Sequence, residues 1–156
     1  MTVVALTAFV TVKQKDGTVE HQFQNGKHTA VDGHAYLSFI YQGAAMNRSG
    51  DNLEASIVLA NNPLSMSYVK EFVEKKYYIE VETFLMTADF NKDIAAKNGG
   101  KLTGEYWLAS GMRYDAESIE LLLSSAIDAV GANAPQQILT RRRCAHLPLT
   151  GQLQNL

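Results

Sequence analysis

The sequence predicts a mainly β fold: a barrel or sandwich of about six to eight strands, one short α-helix and an extended C-terminal tail. Three observations predict it. Apolar residues alternate with period two in stretch after stretch, as half-buried strands require. Turn chemistry separates these stretches at short intervals, as in Asp16-Gly17 and Asn98-Gly99-Gly100. Only one stretch, Ser65 to Lys76, carries a plain helical period between a strand stop and a basic end. The 156 residues suffice for one domain, and 46% apolar content suffices for one core. The division is 1–134 for the β-rich domain and 135–156 for an extended arm.

The chain opens with alternation: Leu6, Ala8, Val10 and Val12 on one face, Thr7, Phe9, Thr11 and Lys13 on the other. Lys15-Asp16-Gly17-Thr18 turns it, because Asp-Gly tolerates positive φ. Val19 to Gln24 returns as the second arm of a hairpin. His34 to Gln42 reads as a strand with apolar groups on both faces. Leu53, Ala55, Ile57 and Leu59 form the inner face of the next strand, which Asn61-Asn62-Pro63 stops. In the helix, Ser65 or Ser67 is the expected N-cap, and Tyr68, Val69, Phe72 and Val73 share a face. Lys75 and Lys76 would close its last turn, where cations suit the dipole. Tyr77 to Met86 alternates again, and Leu102 to Arg113 is a further strand. Ala88 to Lys101 between them reads as a polar loop. Asp115 to Gly131 is ambiguous: Ile119, Leu122, Leu123, Ala126, Ile127 and Val130 fit a helix stripe, while Ile119, Leu121 and Leu123 also fit a strand pairing back on Leu102 to Arg113 across the Tyr114-Asp115 turn, and periodicity alone slightly favours the helix.

Charge and composition exclude several functions. Lys plus Arg is 14 against 16 Asp plus Glu, a net charge of −2. That balance lacks the basic excess of a generic nucleic-acid binder. No apolar run approaches the roughly 20 residues of a membrane span. The N-terminus lacks the basic start and cleavage site of a signal peptide and reads as a strand, so a soluble, unsecreted protein is the expectation. One cysteine, Cys144, forms no internal disulfide and no Cys-rich zinc site.

Catalytic and metal chemistry is sparse. His21, His28, His34 and His146 lack helical metal-ligand spacing, and strand-end or loop roles suit them better. Asp89, Asn91 and Asp93 imitate the start of a calcium loop. Ile94 then stands where a glycine is needed and Gly100 where the glutamate should be, so a solvated loop is expected. Phosphate-loop and nucleophile-elbow patterns are lacking. Cys144 lies beside Arg143 and near His146, but in a Pro-containing tail that is a poor platform for catalysis. Glu80 and Glu82 share one strand face and read as a solvated or interface-facing edge. No catalytic residue, metal or cofactor is expected. Arg141, Arg142 and Arg143 suit an acidic partner surface. The alternative is a single-strand nucleic-acid barrel, in which Tyr36, Tyr78, Tyr106 and Trp107 would stack bases.

The order of elements carries a resemblance. Leu53-Glu54-Ala55-Ser56-Ile57-Val58-Leu59-Ala60-Asn61 is followed by a short helix, and Lys75-Lys76 leads into Tyr77-Tyr78-Ile79-Glu80-Val81-Glu82-Thr83-Phe84-Leu85. Two more strands and a Pro135-x-x-x-x-Thr140-Arg141 exit follow. Across about residues 34 to 148, this resembles the minor tail and baseplate-hub proteins of tailed bacteriophages, of the lambda-type minor tail protein L kind. The chain lacks the cysteine-rich part of larger members, so no iron–sulfur cluster is implied. The resemblance implies a strand at Ser118 to Leu123 paired with Leu102 to Arg113. It implies a non-enzymatic virion subunit that assembles with other tail or baseplate proteins as a homo-oligomeric ring. The candidate arms are Ala88 to Lys101 and Ala134 to Leu156. The candidate partner-binding residues are Tyr77, Tyr78, Arg141, Arg142, Arg143, Leu147 and Leu149. For the tyrosines, sealing a barrel end is an equal reading.

Overall fold

A computed structural model describes residues 5–43 and 54–125. It is mainly β. The strands are β1 (Ala5–Lys13), β2 (Val19–Gln24), β3 (Ala35–Tyr36), β4 (Phe39–Gln42), β5 (Glu54–Ala60), β6 (Tyr78–Met86), β7 (Lys101–Tyr114) and β8 (Ser118–Ser124). Helix α1 (Pro63–Glu74) lies between β5 and β6, and α2 (Lys92–Lys97) between β6 and β7.

One eight-stranded sheet has the order β3-β2-β1-β6-β7-β8-β5-β4. Its two edge strands are separated in the chain only by Leu37 and Ser38. Cα atoms three residues apart lie within about 11 Å of each other, so the sheet must curl until its edges meet on that stretch. β3 runs parallel to β2, while β4 runs antiparallel to β5. The result is a barrel closed by a broken strand. The expected continuous strand His34 to Gln42 is therefore two short pieces, because its halves pair with different neighbours.

Inward side chains from nearly every strand form one core. Val10, Val12, Phe23, Phe39, Ile57, Leu59, Ile79, Val81, Trp107, Ile119, Leu121 and Leu123 all belong to it. Helix α1 covers one end, setting Val69 and Phe72 into this core. Its cap is Asn62, whose side chain accepts from the Ser65 backbone N–H at 2.8 Å, with Pro63 in the first turn. The expected caps Ser65 and Ser67 thus lie inside the helix. The Asn-Pro pair that stops β5 also starts α1, since proline suits a first turn that needs no N–H. The other end is a Schellman motif. The Lys76 N–H donates to Val73 O at 3.3 Å and the Tyr77 N–H to Phe72 O at 3.1 Å, with Lys76 left-handed at φ 50°. Lys75 and Lys76 are therefore the cap and the residue beyond it, not the last turn.

A second cluster lies outside the barrel. Phe9, Val31, Phe84, Met86 and Ala95 are buried together, with Phe90 against them. The chain around residues 25–34 and α2 covers the outer face of β1 and the end of β6. Consequently β1 is buried on both faces, with Thr7, Phe9 and Thr11 as inaccessible as Ala8, Val10 and Val12. The half-buried reading of this strand is corrected: Phe9 is a core residue of the outer cluster. The expected loop Ala88 to Lys101 is corrected as well. Asn91 accepts from the Ile94 N–H at 3.1 Å and starts α2, so the imitation of a calcium loop is a helix cap. Gly100 fits against Ala95 O and Leu85 O, where a Cβ would come within 2.7 and 2.8 Å. This segment is docked on the sheet and does not form a free arm.

β8 pairs with β7 on one side and β5 on the other, so Ser118 to Leu123 is a strand, the second of the two local readings, and not the helix that periodicity slightly favours. Ile119, Leu121 and Leu123 point inward. Leu122, which the helical stripe enlisted, is outward on a half-buried position.

Candidate functional site

Adjacent antiparallel strands alternate in direction, which fixes what lies at each end of the barrel. The end opposite α1 collects the starts of β1, β5, β7 and the ends of β2, β4, β6 and β8. The described chain breaks off at Ala5, Gly43, Glu54 and Ser125, all at this end.

This open end is the candidate site. It holds a cleft of about 190 Å³ lined by Leu6, Ala8, Asn25, Phe39, Ile40, Tyr41 and Thr83. Leu6 faces Leu85 across the β1–β6 pair, where the inward-facing rows run past the end of the core. They are 64% and 41% exposed, which for two adjacent leucines makes an apolar rim. Asn25 fixes the near wall. Its side chain accepts from the Ala8 N–H at 2.9 Å and donates to Phe39 O at 3.1 Å, tying β1 to the broken strand.

Inside the rim lies a polar chain. Trp107 donates from Nε1 to Tyr41 Oη at 2.9 Å, and Tyr41 donates to the Glu105 carboxylate. Burial, then the bond to Glu105, pushes the Tyr41 phenol far above its ordinary value. Tyr41 therefore stays a neutral donor. Among the described residues, no lysine or arginine pairs with Glu105. Glu105 does not line the cleft, but it is a half-buried carboxylate bonded to Tyr41, which does, and so is suited to a cationic group on an apolar stem.

The outer face of β1, β6 and β7 is charged but internally matched. Lys13 Nζ meets Glu80 at 2.6 Å, and Tyr106 donates to Glu80 at 2.9 Å. Glu82 binds Lys92 and, at 2.9 Å, Lys101. Burial alone would raise the Glu82 carboxyl, and the two lysines outweigh it, holding it below the ordinary carboxylate value. Lys92 also lies over the Phe9 and Phe84 rings, so it clamps α2 to the sheet. β6 is a central strand, so the expected solvated edge at Glu80 and Glu82 is corrected to a satisfied network in the middle of the sheet.

Tyr77 is 4% exposed in the core beneath α1, its hydroxyl 3.4 Å from Glu71. That is the barrel-sealing role, and it leaves little surface for a partner. Tyr78 is half-buried on the outer face, opposite Lys13 and Leu108. The supposed stacking rings are divided. Trp107 is inside the barrel, Tyr106 is 69% exposed outside it, and Tyr36 lies against His28 with ring centroids 4.4 Å apart. His34 is buried edge-on to Phe9, 3.3 Å from the Thr11 hydroxyl. Burial lowers its pKa, so it is a neutral core histidine. Among the described residues, no three His, Cys, Asp or Glu side chains gather as a metal site. Arg141, Arg142, Arg143, Leu147 and Leu149 lie outside the described residues, as do Cys144 and His146.

Leu6, Leu85 and Glu105 are not among the expected site residues. Glu105 alone had a signal: it interrupts the inward row Thr103, Glu105, Trp107 with a charge. Comparison with protein-family models finds no match, and comparison with curated proteins finds none.

Proposed function

We propose that this chain is a non-enzymatic structural subunit of a phage tail baseplate or tail tip. It would join the end of the tail tube to hub or fibre components, with identical copies arranged in a ring. The observation that carries the reading is β8. The tail-protein pattern implies a strand at Ser118 to Leu123 where the local pattern fits both a helix and a strand and slightly favours the helix, and a strand pairs there between β7 and β5. The apolar rim of the open barrel end adds support, because in a crowded ring a neighbour can take a surface that the chain's own arm holds in dilute solution, whereas the charged outer face is already matched internally. Assembly in such a ring buries apolar surface through a heterologous interface that closes. The virion is the proposed location, and no cofactor has a part in the mechanism.

The test is mass spectrometry of purified phage particles, quantifying this chain against the tail-tube protein. A low, fixed ratio is expected. Absence from clean particles overturns the reading.

A further inference from the structure

We infer that the open end of the barrel is the docking site of the chain's own C-terminal segment, Arg141 to Leu149. Four observations converge on it. The cleft is apolar at its rim, with Leu6, Leu85 and Ile40 exposed. Beside Tyr41 of its lining, Glu105 has no cationic partner among the described residues. The segment Arg141-Arg142-Arg143-Cys144-Ala145-His146-Leu147-Pro148-Leu149 offers the complement, three guanidinium groups followed by two leucines. It is joined to the barrel at this same end, where β8 stops at Ser124 beside Glu54.

Reach poses no obstacle. Fifteen residues (126–140) separate Ser125 from Arg141, and fully extended they would span about 50 Å. A tethered segment acts at an effective concentration of roughly millimolar. In dilute solution it outcompetes the same segment from another molecule, so the occupant is the barrel's own arm. An arginine of the triplet would pair with the Glu105 carboxylate opposite the Tyr41 bond. Leu147 and Leu149 would cover Leu6 and Leu85, and Pro148 suits an extended segment that leaves no backbone donor at that position. The single tryptophan of the chain, Trp107, hydrogen-bonds to Tyr41 behind Glu105 and reports on the cleft.

The inference stands apart from the tail-subunit reading: particle composition tests that one, and the behaviour of the isolated full-length chain tests this one. The experiment is limited trypsin digestion of the full chain, following cleavage after Arg141, Arg142 and Arg143 by mass spectrometry. The expected result is protection at least fivefold relative to a synthetic peptide of residues 138–150. Glu105→Gln, which keeps an acceptor for Tyr41 but removes the charge, should abolish most of it. Leu6→Ser, at an exposed position, should do the same, and both should shift Trp107 emission. Glu120→Gln, on the outer surface with Arg113, should leave the rate unchanged. Cleavage at the peptide rate in the unmutated chain overturns the inference. So does protection that neither Glu105→Gln nor Leu6→Ser alters. Protection that grows with protein concentration also overturns it, because the occupant is then a second copy.

Discussion

At one end of the barrel, Val69 and Phe72 of α1 sit at 1% and 5% exposure over the inward rows of the strands. At the other, Leu6 stands at 64% beside Leu85 at 41%. The same β1 and β6 supply both ends, and the same alternation places Val12 and Ile79 in the core and Leu6 and Leu85 outside it. The difference lies in what the chain does next. After β5 it crosses the end as a capped helix before entering β6; at the opposite end no described helix crosses. A strand pattern specifies which face is inward. Whether an inward residue is covered depends on connections, so equal hydrophobicity yields a core at one end and a binding surface at the other.

Substitutions at the two ends should separate accordingly. The largest effect belongs to the covered end. Phe72→Ala should cost about 3–5 kcal/mol in urea unfolding, the usual range for emptying a buried aromatic site. The outer cluster comes next. A Cβ on Gly26 would meet the Thr7 hydroxyl and the Phe90 ring at 2.4 and 2.6 Å. Gly26→Ala should therefore cost about 1–3 kcal/mol through overpacking, seen as a lower unfolding midpoint. Asn62→Ala, removing the α1 cap, should cost about 1 kcal/mol. Lys76→Gly should act in the opposite direction and stabilise by about 0.5–1 kcal/mol, since the Schellman position is left-handed and suits glycine. A gain there together with a loss at Asn62 would confirm that α1 is fixed by both caps.

Acid should weaken the outer cluster in two stages. Burial holds the His34 pKa below its ordinary 6.5, so the unfolded chain takes up its proton first. The contribution of neutral His34 is fully present above pH 6.5 and is lost as the pH falls from there through the folded value. The Glu82 pairs with Lys92 and Lys101 hold its pKa below the ordinary 4.5. Their contribution is present above that value and is lost as the pH falls through the lower folded one. Unfolding midpoints measured from pH 7 to pH 3 should show both slopes, with His34→Gln flattening the first and Glu82→Gln the second.

The hairpin β1–β2, the inward row of β5 and the alternation of β6 were legible because each is a local pattern. The break at Leu37 and Ser38 was not, because it follows from closing the barrel between β2 and β5, which are distant in sequence. Phe9 and Thr11 looked like a solvent face for the same reason: their cover comes from residues near 30 and from α2. In β8 the leucine run satisfied two periods at once, and long-range pairing with β7 and β5 decided between them. At the site, the apolar character of Leu6 and Leu85 was visible, while their exposure depends on the path of the whole chain.

The division between a covered end that holds the fold and an open end that binds without holding it is tested most directly by one paired measurement. Urea unfolding of Phe72→Ala and Leu6→Ser would be followed by the emission of Trp107. Phe72→Ala should lose about 3 kcal/mol or more, while Leu6→Ser should lose only about 1 kcal/mol, the worth of a roughly fivefold docking equilibrium. Equal losses at the two positions would contradict the division.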